Sequence, residues 1–367
     1  MSNKTYFITG GGTGGHIYPA VAIADELVKN GENIYYVGNP KNLEYDIISQ
    51  KGYKFLPVNV HGMPRGAKIS IIKWGLQLLW AIIKSFGYII KYKPDAIIGT
   101  GGYVSAPSII AAKLLGKPYM MHDCDAQPGL VTRYLAPYAK AVSVAFESAN
   151  KFIKNKNFYV NGNPIRPQFK TLSKEEARNN MGLENKLTLC IMGGSQGART
   201  INDASVSLLK KLSKEYNMQI IFQTGKKNYE RVIEQIIRIY PEYELDKNLI
   251  IRPYFEDMVT ALKASDIAIS RAGSLSLSEI EAAGLASILV PYPHAAADHQ
   301  RKNAKYMVEK GASLYLEDSE TDELRLGELI EFLVNNPDKL HELQKNALAL
   351  AKYDGVQKIL EQLDKIS

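Results

Sequence analysis

Residues 10 to 16 read GGGTGGH, five glycines and a threonine running into a histidine. Imidazole has an unperturbed pKa near neutrality, which suits it to accept a proton from a hydroxyl. A glycine loop between a strand and a helix is also an anion site. Unpaired backbone N–H groups and the positive end of the helix dipole converge there, and no side chain blocks the approach. Two further stretches share this make-up, GTGGYVS at 99–105 and GGSQG at 193–197. Three phosphate-sized cradles exceed what one dinucleotide requires.

Gly10, Gly12 and Gly15 satisfy the dinucleotide spacing G-x-G-x-x-G, but that fold places an acid about 20 residues further on, at the end of the second strand. Here that strand closes on Val37, Gly38 and Asn39. No Gly-Lys-Ser/Thr follows any of the loops, so a Walker site is excluded. A nicotinamide-dependent oxidoreductase stays as a rival weakened by the missing acid, and a non-catalytic sugar-nucleotide sensor is a third reading. A carboxylate able to take both hydroxyls of a ribose occurs in the second half, at Glu279 of SRAGSLSLSEIEAAG. The six histidines lack the pairing or spacing of a zinc site. Neither a metal nor a cofactor is expected.

The elements that must position these groups alternate in a βα pattern. Strand candidates in the first half are TYFIT, NIYYVG, KFLPVNV, DAIIG, PYMMHD and AVSVAF; in the second they are LTLCIM, QIIFQTG, LIIRPY, DIAIS and ASILVPY. Each half opens with a strand, a glycine loop and a helix, which predicts two doubly wound Rossmann-like domains facing an interdomain cleft. The stretch VNGNPIRPQFKTLSKEE interrupts regular structure, and the linker is placed near Asn161 to Thr171. The expected division is 1–163, 164–340 and a helical segment 341–367 packing back on the first domain. A length of 367 residues supports two cores. The net charge of +7 calls for an anionic partner, and two cysteines, Cys124 and Cys190, fit a reduced protein without disulfides. The chain enters a strand almost at once, so no signal peptide is expected.

Taken together, GGGTGGHIYPA, GTGGYVSAP, GNPIR, GGSQGA, SRAGSLSLSEI and the region ending DHQRKNA occur in the order found in glycosyltransferase family 28. The chain resembles the members that convert lipid I to lipid II in peptidoglycan synthesis. The resemblance implies an α/β GT-B fold, UDP-GlcNAc as donor and an undecaprenyl-diphospho-muramoyl-pentapeptide as acceptor, with inversion at the sugar carbon. It also implies a peripheral position on the cytoplasmic side of the cell membrane, association with the cell-wall and division machinery, and no nucleic-acid partner.

Carried over by matching position, His16 is the general base for the acceptor 4-hydroxyl. The resemblance puts Thr13, Gly14, Gly15 and Asp125 near the donor sugar and diphosphate. Arg166 becomes a fixed cation, Ser195 and Gln196 lie at the phosphates, and Phe255 meets the uracil by its backbone. Ser274, Leu275, Ser276, Leu277, Ser278 and Glu279 hold uridine, with Glu279 on the ribose, and Gln300 binds sugar hydroxyls. Gly12, Gly101, Gly102 and Tyr103 are assigned to the acceptor diphosphate. One stretch departs from the family pattern: where many members read His-Glu-Gln-Asn, this chain has HDCD at 122–125. A carboxylate at Asp125 accepts hydrogen bonds from hydroxyls but cannot donate as an amide does.

Residues 68 to 94, KISIIKWGLQLLWAIIKSFGYIIKYKP, hold both tryptophans. The ten residues between Lys73 and Lys84 are too few to span a bilayer. The segment reads as an amphipathic surface helix whose Trp74, Leu78, Leu79 and Trp80 enter the interface while Lys73 and Lys84 reach anionic headgroups. A lipid glycosyltransferase using another acceptor, such as diacylglycerol, is the runner-up within the class.

Overall fold

The computed structural model describes residues 3–64, 68–194 and 196–367. The chain divides into two compact units, one comprising Met1–Ile165 with Asp354–Ser367 and the other Arg166–Tyr353. The first carries β1 (Thr5–Thr9), β2 (Asn33–Gly38), β3 (Lys54–Pro57), β4 (Ala96–Gly99), β5 (Tyr119–Asp123), β6 (Ala141–Val144) and β7 (Phe158–Val160). They form a parallel sheet in the order β3-β2-β1-β4-β5-β6-β7. The second carries β8 (Thr188–Met192), β9 (Gln219–Gln223), β10 (Leu249–Arg252), β11 (Ile267–Ser270), β12 (Ala286–Leu289) and β13 (Ser313–Tyr315). Its order is β10-β9-β8-β11-β12-β13, also parallel.

Central strands such as Phe7–Ile8, Ile97–Ile98 and Ile220–Phe222 are apolar on both faces because helices cover both, as a parallel sheet requires. In each sheet the strand order reverses once, between β1 and β4 and between β8 and β11. Such a switch point leaves a crevice outside the carboxyl ends of the strands, where open α/β sheets bind ligands. All three glycine loops follow strands at these two points.

The division differs from the sequence expectation at its C-terminal end. The helix Pro337–Leu350 belongs to the second unit, and the return to the first begins only at Asp354. There the helix Gly355–Ile366 packs Ile359 and Leu363 into the first unit's core. Gly355 marks the entry: a Cβ there would stand 3.0 Å from the Asn163 carbonyl.

Glu281 illustrates a cost inside the second unit. It is buried in the helix Ser274–Ala283, and burial raises its pKa to about 8, with Lys352 opposing. The folded protein thus holds a proton that the unfolded chain has released above its ordinary value. Stability therefore falls as pH rises between about 4.5 and 8, by at most about 1.4 kcal/mol per pH unit. Glu281→Gln should accordingly melt higher than the parent at pH 8 and lose that advantage towards pH 5, read by thermal denaturation across the range.

Candidate functional site

In the second unit, β8 runs into Gly193 and Gly194, and the helix Arg199–Lys214 starts with no acid in its first turn and no side-chain cap. Its first N–H groups thus keep their donors for an anion. Gly197 has φ +76°, and a Cβ there would stand 2.1 Å from the Thr224 carbonyl, so the tight return demands glycine. The Gln196 carbonyl accepts a 2.9 Å bond from Asn228 Nδ2, which fixes the loop from behind. Ser195, assigned to the phosphates, lies outside the described residues.

Gln223 at the end of β9 couples two parts of the site. Its Nε2 donates to the Gly194 carbonyl at 3.3 Å and its Oε1 accepts the Phe255 N–H at 2.9 Å. Phe255 itself is buried, and with its N–H so engaged the backbone atom it offers a base is its carbonyl. Nothing in the spacing of the sequence marks Gln223 for this role.

After β11, the helix Ser274–Ala283 also begins without a first-turn acid or side-chain cap. Leu277 is fully buried, contrary to its assignment beside uridine: one turn of helix directs its side chain into the core. Ser274 and Ser278 are buried as well, whereas Leu275, Ser276 and Glu279 reach the half-buried margin. Gln300 draws two loops together, its Oε1 accepting the N–H groups of Ala272 at 3.2 Å and Tyr292 at 3.0 Å. With its oxygen so engaged, the polar group the carboxamide has left to offer is its NH₂.

Glu279 and Arg166, expected as the ribose acceptor and as a fixed cation, form one ion pair with Nη2–Oε1 at 2.9 Å. Burial raises the Glu279 pKa, and the guanidinium opposes that shift. The same cation helps hold the Asp257 carboxyl low, behind hydrogen bonds from Thr260.

In the first unit the loops after β1 and β4 interlock. A Cβ on Gly102 would stand 2.2 Å from the Gly11 carbonyl, and one on Gly10 would stand 1.9 Å from Thr100 Oγ1. Thr100 Oγ1 donates to the His16 carbonyl at 2.7 Å and Tyr36 Oη to the Gly10 carbonyl at 2.6 Å. The His16 ring lies on the Gly101–Gly102 backbone, where added Cβ atoms would stand 2.9 and 3.0 Å from it. Its Nδ1 is 3.5 Å from Cys124 Sγ. If Nδ1 carries the proton and points to sulfur, Nε2 keeps the lone pair a base needs.

Cys124 brings the HDCD stretch to that ring. His122 is fully buried, hydrogen-bonds Ser143 through Nδ1 at 3.0 Å, and has its pKa lowered to about 4 by burial. Asp123 is buried too; its two oxygens accept the N–H groups of Asp125 and Gly129, each at 3.2 Å. Burial, with the Asp125 charge beside it, raises its pKa. Ligand atoms of Asp123, Cys124 and Asp125 lie within 4.8 Å of one another. The Asp123 oxygens are already committed to their own turn.

Gly14 and Gly15 open the helix Gly14–Lys29, whose Thr13 cap makes no side-chain bond and whose first turn has no acid. Gly12 stands differently from its assignment to an anion. Its N–H points to Glu44 Oε2 at 3.4 Å, and the Tyr103 ring covers its Cα, 2.9 Å from where a Cβ would be. The Tyr103 hydroxyl accepts from Asn42 Nδ2 at 3.0 Å and keeps its own proton to donate.

The helix Lys68–Tyr92 is 25 residues long and covers nearly all of the amphipathic segment read from the sequence at 68–94. Ile72, Leu76, Leu79, Trp80, Ile83 and Ile90 are exposed and recur at helical spacing along one face. Lys73 is also exposed and Lys84 half-buried. Leu78 and Trp74 depart from their assignment to the interface. Leu78 packs against the core, and Trp74 is half-buried with Nε1 donating to the His61 carbonyl at 2.8 Å. Among the described residues no helix is long and apolar enough to cross a membrane.

Known proteins resemble the chain over its whole length. Residues 6–144 match the model of the glycosyltransferase family 28 N-terminal domain, and residues 188–359 match that of the family's C-terminal domain. A protein of Thermoanaerobacter sp. (strain X514), 37% identical over 99% of this chain and 100% of its own length, is named UDP-N-acetylglucosamine–N-acetylmuramyl-(pentapeptide) pyrophosphoryl-undecaprenol N-acetylglucosamine transferase. One of the same name from Desulforamulus reducens is 38% identical over 98% of both chains. The crystal structure of Acinetobacter baumannii MurG superposes with a TM-score of 0.81 at 27% identity, covering 99% of each chain.

Proposed function

The chain belongs to glycosyltransferase family 28 as an N-acetylglucosamine transferase, and on that premise we propose how its residues carry sugar from UDP-GlcNAc to the 4-hydroxyl of a lipid-linked muramoyl-pentapeptide. Full-length likeness to enzymes of that name, at 37% identity, carries the reading. The second unit binds the donor. Glu279 takes the ribose hydroxyls, Phe255 presents its carbonyl to the uracil, and the Gln300 NH₂ donates to sugar hydroxyls. Gln196 lies in the loop that receives the diphosphate. Negative charge grows on UDP as its bond to the sugar breaks. Arg166 and the uncapped starts of Arg199–Lys214 and Ser274–Ala283 meet that charge with donors already in place.

The first unit handles the acceptor. His16 removes the 4-hydroxyl proton as oxygen attacks the anomeric carbon from the side opposite UDP, which inverts that centre. Tyr103 and the backbone at Gly101 and Gly102 bind the acceptor diphosphate, while Thr13, Gly14 and Gly15, at the uncapped start of the helix Gly14–Lys29, offer amides to the donor sugar and its diphosphate. Asp125 accepts from sugar hydroxyls. Calorimetric titration tests the donor assignment. UDP-GlcNAc should bind the protein and NAD should not; binding of NAD alone would restore the dinucleotide reading.

The enzyme works as a peripheral protein on the cytoplasmic leaflet, with the exposed face of Lys68–Tyr92 in the interface. Trp80 is 67% exposed, so its removal from that face costs the fold little. Trp80→Ser combined with Leu76→Ser should weaken binding to anionic phospholipid vesicles by about tenfold or more, since buried apolar area contributes about 25 cal/mol per Å². Activity on a long-chain acceptor should fall with it and activity on a short-chain soluble analogue should not. High salt should weaken binding through the lysines without abolishing it. Equal loss on both acceptors would remove this face from membrane contact.

A further inference from the structure

Glu44 is a charged residue with no part in the scheme above, yet it is fully buried against the first glycine loop. It stands in the first turn of the helix Leu43–Gln50. Oε1 accepts the Asn39 N–H at 3.2 Å and Asn42 Nδ2 at 3.3 Å, while Oε2 faces the Gly12 N–H at 3.4 Å. A Cβ on Gly11 would lie 2.7 Å from the carboxyl carbon. The strand end at Asn39 and the loop at Gly11–Gly12 thus close on one carboxylate. The carboxylate is thus pointed from the next helix into the glycine loop and enclosed there.

We propose that Glu44 is a built-in anion that fills the Gly11–Gly12 part of the loop and excludes phosphate from it. A phosphate at Gly12 N–H would need the same donor and would meet a buried carboxylate at contact distance, where like charges repel strongly. This determines what the loop selects. A dinucleotide pyrophosphate, which uses the first glycines of G-x-G-x-x-G, is refused although the spacing is present. An anionic ligand is confined to amides beyond Gly12. The proposal rests on the reading that the first unit binds a diphosphate, and it withdraws Gly12 from that group.

Inorganic pyrophosphate, titrated into the full chain carrying ¹⁵N-glycine, is the probe. In the parent protein the Gly12 amide resonance should stay in place at every concentration, whatever other glycines do. In Glu44→Gln, which keeps size and removes charge, the Gly12 amide should shift with pyrophosphate and affinity should tighten about tenfold. A pyrophosphate-dependent shift of Gly12 in the parent overturns the proposal, and so does unchanged affinity in a folded Glu44→Gln. The parent titration needs no variant, so it decides the matter even where Glu44→Gln fails to fold. Neither arm measures sugar transfer. Failure of the acceptor assignment would appear instead as turnover unaffected by changes at Tyr103.

Discussion

His16→Ala lowers turnover by about a hundredfold or more while UDP-GlcNAc binds with its parent affinity, as expected when a general base is removed from a site that still holds its donor. The structure explains why the effect centres on chemistry. The ring rests on glycine backbone and touches Cys124 through Nδ1, so its truncation removes no apolar anchor from the core. His16→Gln separates proton transfer from shape, because it fills similar space and accepts no proton at neutral pH; it should be as slow as the alanine variant. Activity within a few-fold of the parent in both variants would make His16 a loop-ordering residue, and Asp125 would be the base to test next.

Glu279→Ala raises the KM for UDP-GlcNAc by about tenfold to a hundredfold and changes kcat by no more than a few-fold. A charged acceptor lost from a ribose contributes about 1.5–3 kcal/mol, and ribose is held alike in ground and transition states. The ion pair adds a condition. Arg166 loses its partner in the variant, so part of the effect belongs to a guanidinium left to find new acceptors. A double-mutant cycle with Arg166→Met isolates that part, since the two side chains touch and their effects will not add. The raised Glu279 pKa gives a second signature. Ribose binding needs the carboxylate, so donor affinity should decline on acidification, beginning at a higher pH than an ordinary glutamate would give. Glu279→Gln should lack that decline.

The βα rhythm was legible because the buried parallel strands are short continuous apolar runs, and eleven candidates in the sequence fall on strands β1–β6 and β8–β12. The two left out, β7 and β13, are three-residue edge strands at the ends of their sheets, partly open to solvent and too short to stand out as runs. The C-terminal crossover was placed at 341 because an amphipathic helix shows its apolar face without naming the surface that receives it. Packing decides that Pro337–Leu350 stays with the second unit and Gly355–Ile366 goes to the first.

Within the site, glycine loops and their following helices announced themselves by spacing. The residues that hold those loops did not. Glu44 meets Gly12 across 32 positions, Gln223 meets Phe255 across another 32, and Cys124 meets His16 across 108. Such pairings arise from sheet order, which no local pattern encodes. Leu277 errs in the opposite direction: a motif named a run of consecutive residues, while a helix turns successive side chains through about 100° and buries some of them.

The central claim is that this chain transfers N-acetylglucosamine with inversion to a muramoyl 4-hydroxyl. A single-turnover reaction between enzyme, UDP-GlcNAc labelled at the anomeric carbon and a short-chain lipid-linked muramoyl-pentapeptide diphosphate tests it most directly, with the product's linkage read by NMR. The account predicts one disaccharide joined β-1,4 and one UDP released per sugar transferred. Release of UDP without a disaccharide, or a product with the donor's α configuration retained, would contradict it.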